Sequence, residues 1–330
     1  YGMTADHVEA MRVVLSDGSL ARFAPQEQGA LAERGQRATF EGEIYRRLTA
    51  LVADETNREV IRSGTPRHWR RRGGYNLDRF VDGDLTFKIP RDPRFNLANM
   101  ISGSEGTLAV MTEITLGLVP VPQQTALALV HFDNLSTALT SVPIILQAEV
   151  SAVELLDHLA MRLCHGVPEY ARLLQTFADG DPNCILIVEL QGTSEAELRA
   201  KISDLKVLLQ RQKARNTGVV EALDRRRQQN VWKVRKGGLG LLMSIQGDKK
   251  PIPFIEDAAV PVEHLAEYIS RIETFSNELG TEVAYYAHAS AGCLHVRPII
   301  DTKQAREVAK LPEILSFSAE LVGGYGGSLS

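Results

Sequence analysis

The chain has 330 residues, 44% of them hydrophobic and 24% charged, with a formal net charge of −4. That length supports one large or two ordinary domains with cores of their own, and the composition excludes a disordered chain. The slightly acidic balance gives no general pull toward nucleic acid or anionic lipid, and no apolar run reaches the ~18 residues of a membrane helix. Cys164, Cys184 and Cys293 form no CxxC pair, so their spacing points to no disulfide framework, zinc site or iron–sulfur site and fits a reducing compartment.

In chain order, residues 11–23 predict a hairpin, because Ser16-Asp17-Gly18 separates two apolar runs. Phe40, Ile44, Leu48 and Leu51 recur at helical spacing. From about residue 57 to 99 the pattern is irregular and predicts a long surface excursion. Within it, the basic run Arg67 to Arg72 has no second basic stripe beside it and is read as a solvated loop.

A turn at Gly103 to Gly106 opens an apolar strand running to Val119. Pro120-Val121-Pro122 marks the best boundary, dividing the chain into 1–120 and 121–330. Beyond it, strands near 125–132, 150–156, 184–190 and 253–257 alternate with helices near 135–148, from 195, and 263–279. Ser194 and Glu197 form a capping box. Short runs at 283–286 and 294–300 and a last helix complete an α+β pattern of helix-covered sheet.

Three segments offer chemistry. The Gly103-Ser104-Glu105-Gly106 turn gives backbone that a ligand can approach closely, or is an ordinary turn before a strand. His288 and His295 flank small residues. Seven positions apart on a helix they would lie ~10 Å from each other, whereas across a tight strand reversal ~5 Å separates neighbours and both could meet one ion. A third ligand, a carboxylate, would have to come from elsewhere; the alternative is two polar hairpin residues. Trp232 to Arg235 closes a polar helical stretch before the glycine-rich Gly237-Gly238-Leu239-Gly240. There Arg235 is either a carboxylate-binding fork or a solvated charge, and Lys249, Lys250, Glu256 and Asp257 share that ambiguity.

Taken together, these segments resemble a known family. Gly103 to Leu108 with Val110, Thr112 and Glu113 resembles the GSEGTLGxxTE signature of FAD-linked oxidases of the vanillyl-alcohol oxidase type. Tyr1 to Val8 looks like that family's flavin-contacting segment, and Trp232 to Arg235 is similar to its WxxR segment. His288 to His295 resembles the GHxGDGNLH motif of glycolate oxidase subunits, D-lactate dehydrogenases and D-2-hydroxyglutarate dehydrogenases. Gly74 to Asp78 and Ile255 to Pro261 resemble the large bacterial enzymes fused to an iron–sulfur region. The departures are Ser290-Ala291-Gly292-Cys293 in place of GDGN, and Ala109 in place of glycine.

The resemblance implies the C-terminal half of a PCMH-type FAD-binding domain in 1–120. It implies a cap domain with a helix-covered, mainly antiparallel sheet in 121–330. It implies FAD contacts at Gly2, Thr4, Gly103, Ser104, Glu105, Gly106 and Val110. It places a divalent metal such as zinc on His288 and His295, and a substrate carboxylate on Arg235 with help from Lys250. The activity implied is oxidation of a D-2-hydroxy acid to a 2-oxo acid by hydride transfer to flavin, in the cytoplasm or peripheral to the inner membrane. The partners implied are an iron–sulfur electron-transfer module, fused or separate, and a second copy in a homodimer. The family's pyrophosphate-binding segment and its Gly-Glu-His-Gly segment fall outside Tyr1–Ser330. The chain therefore reads as a piece cut at both ends, holding FAD weakly by itself and incomplete for activity. An inactive folded scaffold and an oxygen-using flavin oxidase stay open as alternatives.

Overall fold

The computed structural model describes residues 2–71, 73–82, 87–90 and 92–329, and its chain divides into two units, Tyr1–Pro120 and Val121–Ser330. Tyr1, Arg72 and Ser330, which carried parts of the sequence reading, lie outside the described residues.

In the first unit, β1 (Val8–Val14) and β2 (Leu20–Phe23) form the expected hairpin, with Met11 opposite Phe23. They are followed by α1 (Gln28–Gln36), α2 (Phe40–Ala53), α3 (Glu55–Gly64), α4 (Ala98–Ile101) and β3 (Val110–Leu116). Strand β3 pairs antiparallel with β1, giving the order β2-β1-β3. Tyr45, Leu48 and Val52 of α2 pack on Met11, Val13 and Phe23 of the sheet.

Two expectations change here. The irregular stretch begins with a regular helix, α3, whose start Asp54 caps by accepting from the Asn57 amide. The basic run is folded in rather than solvated. His68 and Arg71 are buried, Arg71 pairs with Asp78 at 2.8 Å, and its guanidinium lies 4.6 Å from the Phe87 ring centre. Paired charge can be buried where lone charge cannot.

The second unit runs β4 (Gln124–Phe132), α5 (Leu135–Ile145), β5 (Ala152–Leu156), α6 (His158–His165), α7 (Pro168–Leu174), β6 (Cys184–Gly192), α8 (Glu195–Arg211) and β7 (Gly218–Ala222). It continues with α9 (Arg225–Met243), β8 (Lys249–Pro251), β9 (Ile255–Ala259), α10 (Leu265–Glu278), β10 (Val283–His288), β11 (Cys293–Asp301), α11 (Ala305–Val308) and α12 (Lys310–Gly324). All eight strands pair antiparallel, in the order β7-β4-β6-β5-β10-β11-β8, with β9 on β11. This is the helix-covered α+β sheet expected of the sequence.

Helices cover both faces, which is why β4 reads as a continuous apolar run. Ala126, Ala128 and Val130 enter the core beneath α5, α8, α10 and α12. Leu127 and Leu129 enter the opposite core beneath α6, α7 and α9. The residues near 237–240, expected to end the polar helix, instead continue α9 to Met243. Gly237 survives there because it admits a neighbour: an added Cβ would fall 2.3 Å from the Tyr170 hydroxyl. Among the described residues, no helix is long and apolar enough to cross a membrane.

Candidate functional site

Strand β10 ends at His288. A single 3-10 turn over Ala289–Ala291 leads to Gly292 at φ 59, and β11 starts at Cys293. That left-handed residue closes the reversal, a conformation glycine adopts without strain. His288 stands opposite Cys293 and Tyr286 opposite His295. Strand alternation then puts Tyr286, His288, Cys293, His295 and Arg297 on one face, while Tyr285, Ala287, Leu294 and Val296 enter the core on the other. The two imidazole centres are 5.4 Å apart, edge to face.

Each histidine is held through Nδ1 by a carboxylate the sequence did not single out as its partner. Glu154, on the same sheet face of β5, places Oε1 2.8 Å from His288 Nδ1. Its other oxygen accepts from Arg235 Nη2 at 2.6 Å. Glu256 places Oε2 2.6 Å from His295 Nδ1, and Oε1 2.9 Å from Arg297 Nη2. The site therefore contains two Arg–Glu–His chains. A carboxylate at Nδ1 fixes the proton there and leaves Nε2 as the acceptor or ligand atom.

Local geometry explains how Glu256 reaches His295. Ile255 pairs with Val296 and Ala258 with Leu294, so two residues, Glu256 and Asp257, oppose one, His295. This is a β-bulge, and Asp257 takes φ 54 to accommodate it. The extra residue re-aims both carboxylates at His295, with Asp257 Oδ1 3.8 Å from its Nε2. Cys293 Sγ lies 3.3 Å from the same Asp257 oxygen. Burial works to raise the Glu256 carboxyl, but the His295 hydrogen bond and the Arg297 charge hold it below the usual range.

Arg235 sits in mid-helix on α9 and is buried. Besides Glu154, it donates to the Ala287 carbonyl at 3.3 Å and lies 3.5 Å over the Tyr286 ring, whose hydroxyl donates back to the Arg235 carbonyl. Burial raises the Tyr286 phenol. Lys250 is not brought to this cluster: its Nζ donates to the Ile245 carbonyl, and it stands opposite Ile300. Alternation along β11 puts Ile300 on the face away from His295 and Arg297.

The expected flavin contacts all lie in the first unit. Gly2 (φ 78) precedes a 3-10 turn beginning at Thr4. Gly103, Glu105 and Gly106 take φ 81, 51 and 77 in an exposed turn before Val110, the first residue of β3. Asn76 Nδ2 braces that turn by donating to the Asn99 and Ser102 carbonyls, and the Tyr75 hydroxyl lies 2.9 Å from Thr107 Oγ1. Ser104 Oγ is buried without a hydrogen-bond partner. Open left-handed backbone beside an unused hydroxyl fits a planar, hydrogen-bonding cofactor such as flavin.

Glu154 escaped notice in the sequence, where its signal is that it is the one charge in the apolar strand 152–156. Arg297 is signalled by its i+2 spacing from His295 on a strand. The bulge has no comparable signature.

Solved structures with the same fold include p-cresol methylhydroxylase (TM-score 0.53, 12% identity, 96% of this chain and 57% of that one). Another is 4-ethylphenol oxidase from Gulosibacter chungangensis (TM-score 0.52, 12% identity, 97% and 57%). Residues 121–330 match the model of the FAD linked oxidases, C-terminal domain, and the chain belongs to that family. It is 30% identical over 339 residues to the D-2-hydroxyglutarate dehydrogenase of Pantoea ananatis, covering all of this chain and 32% of that protein. It is 27% identical over 240 residues to glycolate oxidase subunit GlcD of Escherichia coli, covering 72% and 46%. The chain thus spans about a third of the length of the D-2-hydroxyglutarate dehydrogenases it matches.

Proposed function

We propose that this chain is the substrate-side portion of an FAD-dependent dehydrogenase that oxidises a D-2-hydroxy acid, D-2-hydroxyglutarate being the first substrate to test. Residues 121–330 form its cap domain and residues 1–120 part of its FAD-binding domain. The observation that carries the reading is the pair of histidines on one sheet face, each with Nδ1 tied to a carboxylate. The similarity to D-2-hydroxyglutarate dehydrogenases over the whole chain supports it.

FAD supplies the hydride acceptor. A divalent metal on His288 and His295 would supply a Lewis acid for the 2-hydroxyl. Glu154 and Glu256 hold protons on the two Nδ1 atoms and so keep both Nε2 lone pairs available. Arg235 supplies a fixed positive charge beside His288, where a substrate carboxylate gains most from it. The charge balance favours a cation as well. Glu154, Glu256 and Asp257 outnumber Arg235 and Arg297, so an anionic substrate meets a negative site unless positive charge is added. An iron–sulfur module, fused or separate, would serve as the electron-accepting partner.

Kinetics of the flavin-bound enzyme test this. His288→Ala and His295→Ala should each abolish turnover of D-2-hydroxyglutarate while leaving flavin content unchanged. Arg235→Lys should lower kcat/KM roughly 10- to 150-fold, since a charge-assisted hydrogen bond is worth ~1.5–3 kcal/mol and lysine cannot form the planar fork. Wild-type turnover in both histidine variants would remove the site.

A further inference from the structure

The bulge that delivers Glu256 to His295 also assembles a donor set that the histidine-pair reading does not use. Asp257 Oδ1, Cys293 Sγ and a ring nitrogen of His295 all lie within 4.8 Å of one another. A carboxylate oxygen, a sulfur and an imidazole nitrogen are a borderline-to-soft set, suited to zinc and unsuited to magnesium or calcium. Ligand atoms ~2.0–2.3 Å from a tetrahedral ion sit roughly 3.4–3.6 Å from one another. The separations of 3.3 Å (Sγ to Oδ1) and 3.8 Å (Oδ1 to Nε2) bracket that spacing.

We propose that Asp257, Cys293 and His295 form a thiolate-containing site for a zinc-type divalent cation, with its fourth position open on the His288 side. The inference rests on the proposed role of His295 and refines that reading, setting Asp257 and Cys293 beside His295 as ligands and leaving His288 to face the open position. Cys293 gives up its thiol proton to solvent as the cation binds, so affinity falls with falling pH. The Glu256–His295 contact supplies the second-sphere carboxylate that metal-bound histidines commonly have. Three protein ligands with one position open is the arrangement of catalytic rather than structural zinc. Spacing of the cysteines along the chain could not show it, since the ligands come from two paired strands and a bulge.

Cobalt(II) titration of the full chain separates the outcomes, because a thiolate ligand adds an intense near-ultraviolet charge-transfer band that histidine and carboxylate ligands do not. Cys164 and Cys184 lie in the two helix-covered cores, and among the described residues neither belongs to a cluster of metal-ligand side chains. The expected result is stoichiometric cobalt with the thiolate band. Cys293→Ser should abolish the band and weaken binding about tenfold or more. Asp257→Asn should weaken binding with the band retained, and His288→Ala should keep the band. Near-ultraviolet circular dichroism of each variant checks that it folds. Cobalt bound by wild type without the band overturns this inference and leaves the histidine pair standing. A band that survives Cys293→Ser also overturns it. Absence of any cobalt binding overturns both this site and the metal part of the proposed function.

Discussion

Glu154→Gln isolates the link on which the site's architecture depends. Glutamine keeps the shape but offers one acceptor oxygen, so it can serve Arg235 or His288 and not both. The Arg235 and Glu154 side chains are 7% and 16% exposed, which leaves little solvent screening of their pairing. A hydrogen bond to a charged group contributes ~1.5–3 kcal/mol, and leaving a buried charge without its partner costs ~3–5 kcal/mol. The amide retains part of the contact, so the expected loss is about 2–4 kcal/mol, between those limits. Urea unfolding measures it, followed by fluorescence in a Trp69→Phe background that leaves Trp232 as the only tryptophan. A double-mutant cycle with His288→Ala should then give a coupling of about 0.5–3 kcal/mol, as for groups in direct contact. A Glu154→Gln variant within ~0.5 kcal/mol of wild type, the range of inert surface substitutions, would refute the claim that this carboxylate holds the site together.

Two further outcomes follow from the same physical account. Ser194 Oγ accepts from the Glu197 amide at the start of α8, so Ser194→Ala should lower stability by ~0.5–2 kcal/mol, read by thermal unfolding. Burial lowers the His131 pKa, so the folded chain resists a proton that the unfolded chain takes up below about pH 6.5. His131 therefore adds a term that is fully favourable above that pH and is lost as the pH falls. The stability difference between wild type and His131→Phe should shift against wild type between pH 7 and pH 5, and a pH-independent difference would contradict it.

Much of the architecture was legible because it is written in local signals. Asp17-Gly18, the Ser194 cap and the alternating apolar runs each specify an element without help from the rest of the chain. Helices α6 and α7 escaped notice, although Asp157 caps the first, accepting from the Ala160 amide, and Pro168 opens the second. Their short apolar stripes give weak periodicity. The continuation of α9 through Gly237 was illegible because its cause is a tyrosine from another helix. The site shows the same division. The small residues between His288 and His295 announced a reversal, and strand spacing brought the rings together. Glu154, Glu256 and Asp257 reach them through strand order and a bulge, which only the fold supplies. Lys250 of β8, which the resemblance set beside Arg235, stands opposite Ile300, a placement that strand register decides and the sequence does not show.

Under the proposed function, the enzyme containing this chain would pass a hydride from a D-2-hydroxy acid to flavin by way of the His288–His295 face. Anaerobic mixing of the flavin-bound enzyme with the D and L forms of a panel of 2-hydroxy acids, followed at the flavin absorbance, tests it most directly. The expected result is rapid bleaching by a D-2-hydroxy acid, none by its mirror image, and none in the His288→Ala/His295→Ala enzyme. Flavin that stays oxidised with every 2-hydroxy acid, or bleaches as fast in the double variant, would contradict it.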